Sequence, residues 1–186
     1  MQNITVLPYF AFLRFSLLTL ILCWMGTARA ATITVTNLAD SGAGTLRDRI
    51  ATASPGDTIN FGVVGKVTLS SQLTISKNLR IDGLGVFFTQ LSGNNSTRIF
   101  NITAGMATIN SMLVSDGRVV GTNGALGQHG ENVSGGGILI SNGATLGMSA
   151  VIISNNAAIG GQGGSRRLPN SRHSLKKESN RSPEDC

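Results

Sequence analysis

The chain is poor in cysteine, in aromatic residues and in charge. Of its 186 residues two are Cys, one is Trp and one is Tyr, and 13% are charged. Two cysteines exclude a disulfide framework of the kind that holds small extracellular scaffolds together. There is no HExxH, no GxSxG and no GxGxxG between a strand and a helix, so those metal, nucleophile and dinucleotide signatures are missing. Two histidines, His129 and His173, leave little material for acid–base chemistry near neutral pH. The length has room for one domain.

The overall composition averages three unlike segments. Residues 1–30 are strongly apolar. Arg14 precedes the run Phe15-Ser16-Leu17-Leu18-Thr19-Leu20-Ile21-Leu22-Cys23-Trp24-Met25, which leads into Ala28-Arg29-Ala30. A basic residue, an apolar stretch and an Ala-x-Ala end describe a secretory signal cleaved after Ala30. The competing reading is a membrane anchor, since the stretch lengthens toward a bilayer span when counted from Ile4. Arg14 interrupts that span, and an anchor gives no reason for small residues before the cleavage point. Leu22, directly before Cys23, is too bulky for a lipid-attachment site. Removal of this segment takes away the only Trp, the only Tyr and Cys23, and leaves Cys186 as the single thiol. A mature chain of this kind is not expected to span a membrane.

The other end, residues 165–186, reads SRRLPNSRHSLKKESNRSPEDC. It has no Gly and only Leu168 and Leu175 as sizeable apolar residues. Such a stretch cannot bury enough surface to offset its ordering entropy, and it is expected to be a disordered basic tail. Six basic residues there face three acidic ones, whereas residues 31–164 carry seven basic against six acidic. The high isoelectric point therefore belongs to the ends. A nucleic-acid partner would call for a basic stripe on the folded body, and none is expected.

The body opens on Thr32-Ile33-Thr34-Val35-Thr36, an alternation of period two that predicts a strand. A turn-rich loop over residues 37–44 follows. Residues 45–51 form the one convincing helix, with Thr45 and Asp48 at capping-box spacing and Leu46 and Ile50 on one face. Pro55-Gly56 ends it. Together, residues 31–57 make an N-terminal cap of strand and helix.

From residue 58 to 164 short β runs succeed one another. They are predicted over 58–61, 66–70, 73–75, 79–83, 98–102, 107–110 and 112–117, then over 137–142, 144–146 and 150–155. Residues 99–117 and 138–156 share one order: a β run, a Gly turn, Ala-Thr-Ile/Leu, then a second run closing on Ser-Asp or Ser-Asn. Residues 73–83 are a looser copy, with Ile81-Asp82-Gly83 matched to Val114-Ser115-Asp116-Gly117. The units are about 20 residues long, and a Gly-rich insert over 118–136 separates the two best copies. Repeats of this size indicate stacked coils. Strands this short hold no core alone, but stacked in parallel they bury Ile, Leu and Val in columns, with Gly and Asn at the corners. The reading is all-β, a right-handed parallel β-helix (solenoid) fragment with a short N-terminal capping helix. A β-sandwich is the rival, yet it favours longer strands and more aromatics than Phe61, Phe87, Phe88 and Phe100.

The opening residues Thr34-Val35-Thr36-Asn37-Leu38-Ala39-Asp40-Ser41-Gly42-Ala43-Gly44-Thr45-Leu46-Arg47-Asp48, with Pro55-Gly56-Asp57-Thr58-Ile59-Asn60-Phe61, resemble the N-terminal start of large bacterial surface β-helix proteins. These are the polymorphic outer membrane protein and autotransporter-passenger type, within the pectin-lyase-like fold. Gly135-Gly136-Gly137-Ile138 and Ile153-Ser154-Asn155-Asn156 are similar to their Gly/Asn repeats. The resemblance covers residues 32–164. It implies that the helix covers the open first coil, with Leu46 and Ile50 inward. Relatives tend to carry a small residue where this chain has Arg49. Such proteins run through many coils to a barrel or anchor, whereas here the repeats stop at residues 160–164. A truncated or frame-shifted fragment is the expectation, with an unpaired last coil.

Some pectin-lyase-like folds are enzymes, so carboxylate chemistry needs weighing. Glycoside hydrolysis asks for two carboxylates at a set separation, and calcium-assisted lyase chemistry for a carboxylate cluster. The acids of the body are scattered. Asp40 and Asp57 sit in the opening loops, and Asp48 belongs to the helix cap. Asp82 and Asp116 recur at matching places, but each precedes Gly and reads first as a turn. His129, in Gly127-Gln128-His129-Gly130, is faintly like a polygalacturonase motif without its acids, and His173 lies in the tail. Four Asn-x-Ser/Thr sequons begin at Asn94, Asn95, Asn101 and Asn132, in turns that generate such triplets by chance. No catalytic residue, cofactor or metal ligand is expected. The leading expectation is an exported Gram-negative adhesin or passenger fragment, secreted or at the cell surface, acting by presentation toward host-surface or polysaccharide ligands. The alternatives are a carbohydrate-active fragment lacking its catalytic coils, and a degenerate reading frame without function.

Overall fold

The structure is a computed structural model and describes residues 29–165. The expected export signal over 1–30 lies outside the described residues apart from Arg29 and Ala30. The expected tail over 165–186 lies outside them apart from Ser165.

The described residues are mostly β, with one short helix, as the composition predicts. In chain order the elements are β1 (Thr32–Val35), α1 (Leu46–Thr52), β2 (Thr58–Phe61), β3 (Gly65–Thr68), β4 (Leu73–Ile75), β5 (Leu79–Asp82) and β6 (Thr89–Ser92). They continue with β7 (Phe100–Ile102), β8 (Met106–Ser115), β9 (Arg118–Val120), β10 (Ile138–Ile140), β11 (Thr145–Ser154) and β12 (Ala157–Ile159). Every strand pair is parallel. Three sheets result: one joining β1, β2, β5, β8, β6, β3 and β11, one of β4, β7 and β10, and one of β9 and β12.

Register follows from which residues must leave water. Side chains alternate across a strand, so one set of partners points to a single side. Ile33, Ile59, Ile81, Ile109 and Met148 stand in register across β1, β2, β5, β8 and β11. Val67, Leu91, Val114 and Ile153 form a second such row. Leu73, Phe100 and Ile138 form a third, and Ile75, Ile102 and Ile140 a fourth. The buried members of these rows belong to one core cluster, and each fully buried aliphatic side chain contributes about 1.5–3 kcal/mol relative to exposure.

The spacing between partners corrects the predicted unit of about 20 residues. Thr32 pairs with Thr58, Thr58 with Arg80 and Leu79 with Ala107, offsets of 26, 22 and 28. At β11 the offset lengthens to 39, with Thr145 on Met106. The two best sequence copies are thus direct neighbours in the sheets, β10 on β7 and β11 on β8. The residues between them are not a bare insert, since they contain β9, which pairs with β12. The looser copy does pair with the next one, β4 on β7 and β5 on β8, but its match of residues 81–83 to 114–117 is out of register. Asp82 pairs with Asn110 rather than standing level with Asp116, because the apolar partners Ile81 and Ile109 set the register.

Two predicted pairs of short strands are single ten-residue strands, β8 and β11. Each bends at a residue with left-handed backbone, Ser111 at φ 54° and Ala150 at φ 53°. Neither Ser nor Ala is the usual occupant of that region, so sequence gave no warning of the bend. Residues 107–110 of β8 pair with β5, and 113–115 with β6. Gly83 takes the corner one level earlier. A Cβ there would sit 2.2 Å from the Ser111 carbonyl oxygen, which is why the position holds glycine.

The helix forms as its sequence directs. Thr45 is the N-cap, with extended backbone, and its Oγ1 accepts the Asp48 N–H at 3.3 Å. Asp48 returns the bond one residue further back than a regular capping box, accepting the Gly44 N–H at 2.9 Å. Leu46 and Ile50 are buried against β1 and β4. Arg49 lies on the outside of this packing, and its Nε donates to the Thr34 carbonyl of edge strand β1 at 3.0 Å. Its size is therefore no obstacle to the helix covering that edge. Thr45→Ala is expected to cost about 1 kcal/mol, the usual loss of an N-cap, read as a lower urea midpoint with unchanged slope.

Candidate functional site

The outward face of β1, β2, β5 and β8 carries a row of polar residues in register: Thr34, Asn60, Asp82 and Asn110. Thr34 Oγ1 donates to Asn60 Oδ1 at 3.0 Å, and Asn110 Nδ2 donates to Asp82 Oδ1 at 2.7 Å. Arg80 Nε meets Asp82 Oδ2 at 2.7 Å. Partial burial pushes the Asp82 carboxyl up, but the Arg80 and Asn110 bonds and the Arg80 charge outweigh it and hold Asp82 below the usual carboxylate range. Asp82 is therefore ionised, with both oxygens occupied.

Asp116 belongs to a different group. It is a left-handed turn residue, φ 57°, whereas Asp82 is the last residue of β5. Its Oδ2 accepts from Ser115 Oγ at 2.9 Å and Ser92 Oγ at 3.0 Å, with Lys66 Nζ 4.0 Å away. The two serine bonds draw its pKa down. Hence the turn reading of Asp-Gly holds for Asp116, and the structure does not bring the two acids together on one face. Among the described residues no three His, Cys, Asp or Glu side chains are grouped closely enough to hold a metal ion.

Asp40, read only as part of the opening loop, makes a constellation with Arg47 of the helix. Arg47 donates Nε to the Asp40 carbonyl at 3.2 Å and Nη2 to Asp40 Oδ1 at 2.6 Å. It also reaches the carbonyls of Gln72, through Nη1 at 2.9 Å, and of Ser71, through Nη2 at 2.7 Å. Asp40 Oδ2 accepts from the backbone N–H and hydroxyl of Ser70. The pair clips the opening loop onto the turn between β3 and β4. Its sequence signal was an acid in the opening loop and a base seven residues on, in the helix, which names no partner 30 residues away.

This clip has a pH dependence with a definite sign. Burial would raise the Asp40 pKa, but the Arg47 and Ser70 bonds outweigh it, and the folded value lies below the ordinary one. A depressed carboxyl stabilises the fold above its unfolded pKa of about 3.9 and loses that contribution as pH falls through the folded value. Asp40→Asn should therefore lower stability at pH 7 and flatten the acid limb of a stability–pH curve below about pH 4. An acid limb unchanged from the parent chain would refute the role.

Two shallow grooves flank this clip and share Gln72. One, of about 350 Å³, is lined by Arg47, Ile50, Leu73 and Lys77 among others. The other, of about 420 Å³, lies between Asn95, Thr97, Arg98 and Arg118. Most of these cations are tied to the protein itself. Arg98 bonds the carbonyls of Gly135 at 2.7 Å and Ser134 at 2.9 Å and the Gln72 side chain at 3.0 Å. Arg118 stands exposed at the rim. The groove thus offers amide, hydroxyl and guanidinium groups at a surface.

The remaining candidates are dispersed. His129 is exposed in the segment between β9 and β10. Glu131 closes that segment by accepting from Thr122 N–H and Oγ1, both at 3.0 Å. Asn94 and Asn95 sit in left-handed turns, while Asn101 lies inside β7 with its Oδ1 buried and without a partner. Val64, Leu84, Phe87 and Phe88 leave an apolar surface on the turns before β3 and β6. Among the described residues no helix is long and apolar enough to cross a membrane. No protein-family model, no curated protein and no solved structure matches the chain.

Proposed function

We propose that the chain is an exported β-helix protein of adhesin or autotransporter-passenger type, secreted or held at a bacterial surface, and that it acts by presenting a polar face. The observation that carries this reading is the parallel, in-register return of the chain past the same rows. Apolar rows face one side of each strand, and the row Thr34, Asn60, Asp82, Asn110 faces the other. A right-handed parallel β-helix capped by α1 accounts for all nine parallel pairings at once. The opening motif's resemblance to polymorphic outer membrane proteins supports the same family and, with it, a fragment of a longer stack. The acids support presentation over turnover: Asp40 and Asp82 have both carboxylate oxygens engaged by neighbouring groups, and Asp116 Oδ2 accepts from two serines.

The test is to express the full chain in a Gram-negative host and follow it. The processed protein should appear outside the inner membrane and bind an immobilised acidic or neutral polysaccharide without releasing new reducing ends or unsaturated sugars. Retention in the cytoplasm overturns the export reading. Release of cleaved sugar overturns presentation in favour of a carbohydrate-active fragment.

A further inference from the structure

Asp57 is the one charged side chain among the described residues that is buried, at 4% exposure. A carboxylate withdrawn from water needs its charge met. Two backbone donors meet it: the Ala31 N–H reaches Oδ1 at 2.7 Å and the Ser54 N–H reaches Oδ2 at 2.7 Å. The Ala31 bond, then the Ser54 bond, hold this carboxyl below its ordinary pKa. Ala31 is held a second time, its carbonyl accepting the Thr58 N–H at 2.8 Å. The charge of Lys77 also favours the ionised carboxylate, but neither nearby cation hydrogen-bonds it. Lys77 turns its ammonium to the Ala53 and Ala51 carbonyls at 2.6 and 3.4 Å, and Arg80 turns its guanidinium to Asp82.

Ala31 is also the residue that cleavage after Ala28-Arg29-Ala30 would place first, and Arg29, Ala30 and Ala31 are all exposed. We infer that Asp57 is the seat of the processed N-terminus: once the Ala30–Ala31 bond is hydrolysed, the α-ammonium of Ala31 replaces the amide and pairs with the buried carboxylate. One water adds across the bond, a carboxylate leaves on Ala30, and the freed amine takes up a proton. The donor position is already built, so only its charge changes. A charge-assisted bond is roughly twice as strong as a neutral one. Processing thereby tightens the cap where β1 begins and α1 ends. This inference rests on the export reading above and adds to it a structural consequence of cleavage.

The experiment has two readings. First, the N-terminal residue of the secreted protein is determined by mass spectrometry, and Ala31 is expected. Any other first residue overturns the cleavage site and the inference with it. Second, Tm is followed from pH 6 to 10 for the chain starting at Ala31, for the same chain with Ala30 left in front, and for Asp57→Asn. An α-amine has an unfolded pKa of about 7.7–8.0. Pairing with Asp57 raises the folded value, so the stabilisation is complete below about pH 7.7 and is lost as pH rises through the raised value. The chain starting at Ala31 should lose about 3–6 °C across that window relative to the other two. If Asp57→Asn does not fold, the Ala30-extended chain, which keeps Asp57, carries the comparison. If a chain that starts at Ala31 follows the pH profile of the extended one, no ion pair forms. The inference then fails while the export reading stands.

Discussion

Phe100→Ala should be the most damaging single truncation in the described core, costing about 3–5 kcal/mol. Phe100 is fully buried and is the largest of the wholly buried side chains. It sits in β7, the central strand of its sheet, level with Leu73 on one side and Ile138 on the other. Backbone hydrogen bonds hold those neighbours about 4.8 Å away on each side, so the strands cannot close on the cavity. A loss of this size is a large share of a typical folding free energy of about 5–15 kcal/mol. Phe87→Ala is the matched control: the same atoms are removed from a side chain that is 82% exposed, and the change should stay within about 0.5 kcal/mol. The only Trp and Tyr lie within residues 1–30, so urea unfolding of a chain starting at Ala31 is best followed by far-ultraviolet circular dichroism. Equal losses for the two variants would mean that Phe100 is not enclosed by the β4 and β10 rows.

The contrast between these phenylalanines also shows what sequence could and could not disclose. Phe61 and Phe100 lie in predicted β runs, where at least one face of each strand must be buried. Phe87 and Phe88 are adjacent in a turn, where alternation says nothing about which side faces the protein. The same limit explains the strands that were missed. β6, Thr-Gln-Leu-Ser, has a single aliphatic residue, Leu91, and β9 and β12 are three residues long beside glycine-containing segments. Each becomes a strand because a neighbouring level supplies backbone partners, a cause that lies tens of residues away. The helix, by contrast, was fully legible, since Thr45, Asp48, Leu46 and Ile50 act within one turn or two.

The polar groups followed the same rule. Asp48 is a local cap and was read as one. Asp82 and Asp116 looked equivalent because both precede glycine, but register, set by Ile81 on Ile109, separates them. Arg47 was only a member of a motif until Ser71 and Gln72 came within reach of its guanidinium. Asp57, placed in an opening loop, became the buried partner of Ala31 because β2 lies beside β1. Chemistry that depends on one stretch of chain could be read in advance. Chemistry that depends on the height of one level over another could not.

The first and last strands of the parallel sheets differ, and the difference predicts self-association. At β1 the edge is occupied: α1 packs over Val35, Arg49 takes the Thr34 carbonyl, and the Gly44 carbonyl accepts the Thr36 and Asn37 N–H groups. At the other end, among the described residues, nothing pairs with the outer edges of β10, β11 and β12. Ile140, Met148 and Ile153 continue rows in which Ile102, Ile109 and Val114 are wholly buried, yet they are 47%, 47% and 48% exposed. An unpaired parallel edge with half-exposed aliphatic residues is a template for another strand. A chain starting at Ala31 should therefore associate in a concentration-dependent way. Ile140→Lys with Ile153→Lys should weaken that association at least about tenfold, near 1.4 kcal/mol. At half-exposed positions a lysine stem can lie along the row and keep its ammonium in water, so far-ultraviolet dichroism should be unchanged. Sedimentation velocity across a concentration series reads the result. A parent chain that stays monomeric throughout would show that its last level is already covered, and would remove the case for a missing continuation of the stack. Association that survives both lysines would place the contact elsewhere, with the exposed Val64, Leu84, Phe87 and Phe88 surface the next to substitute.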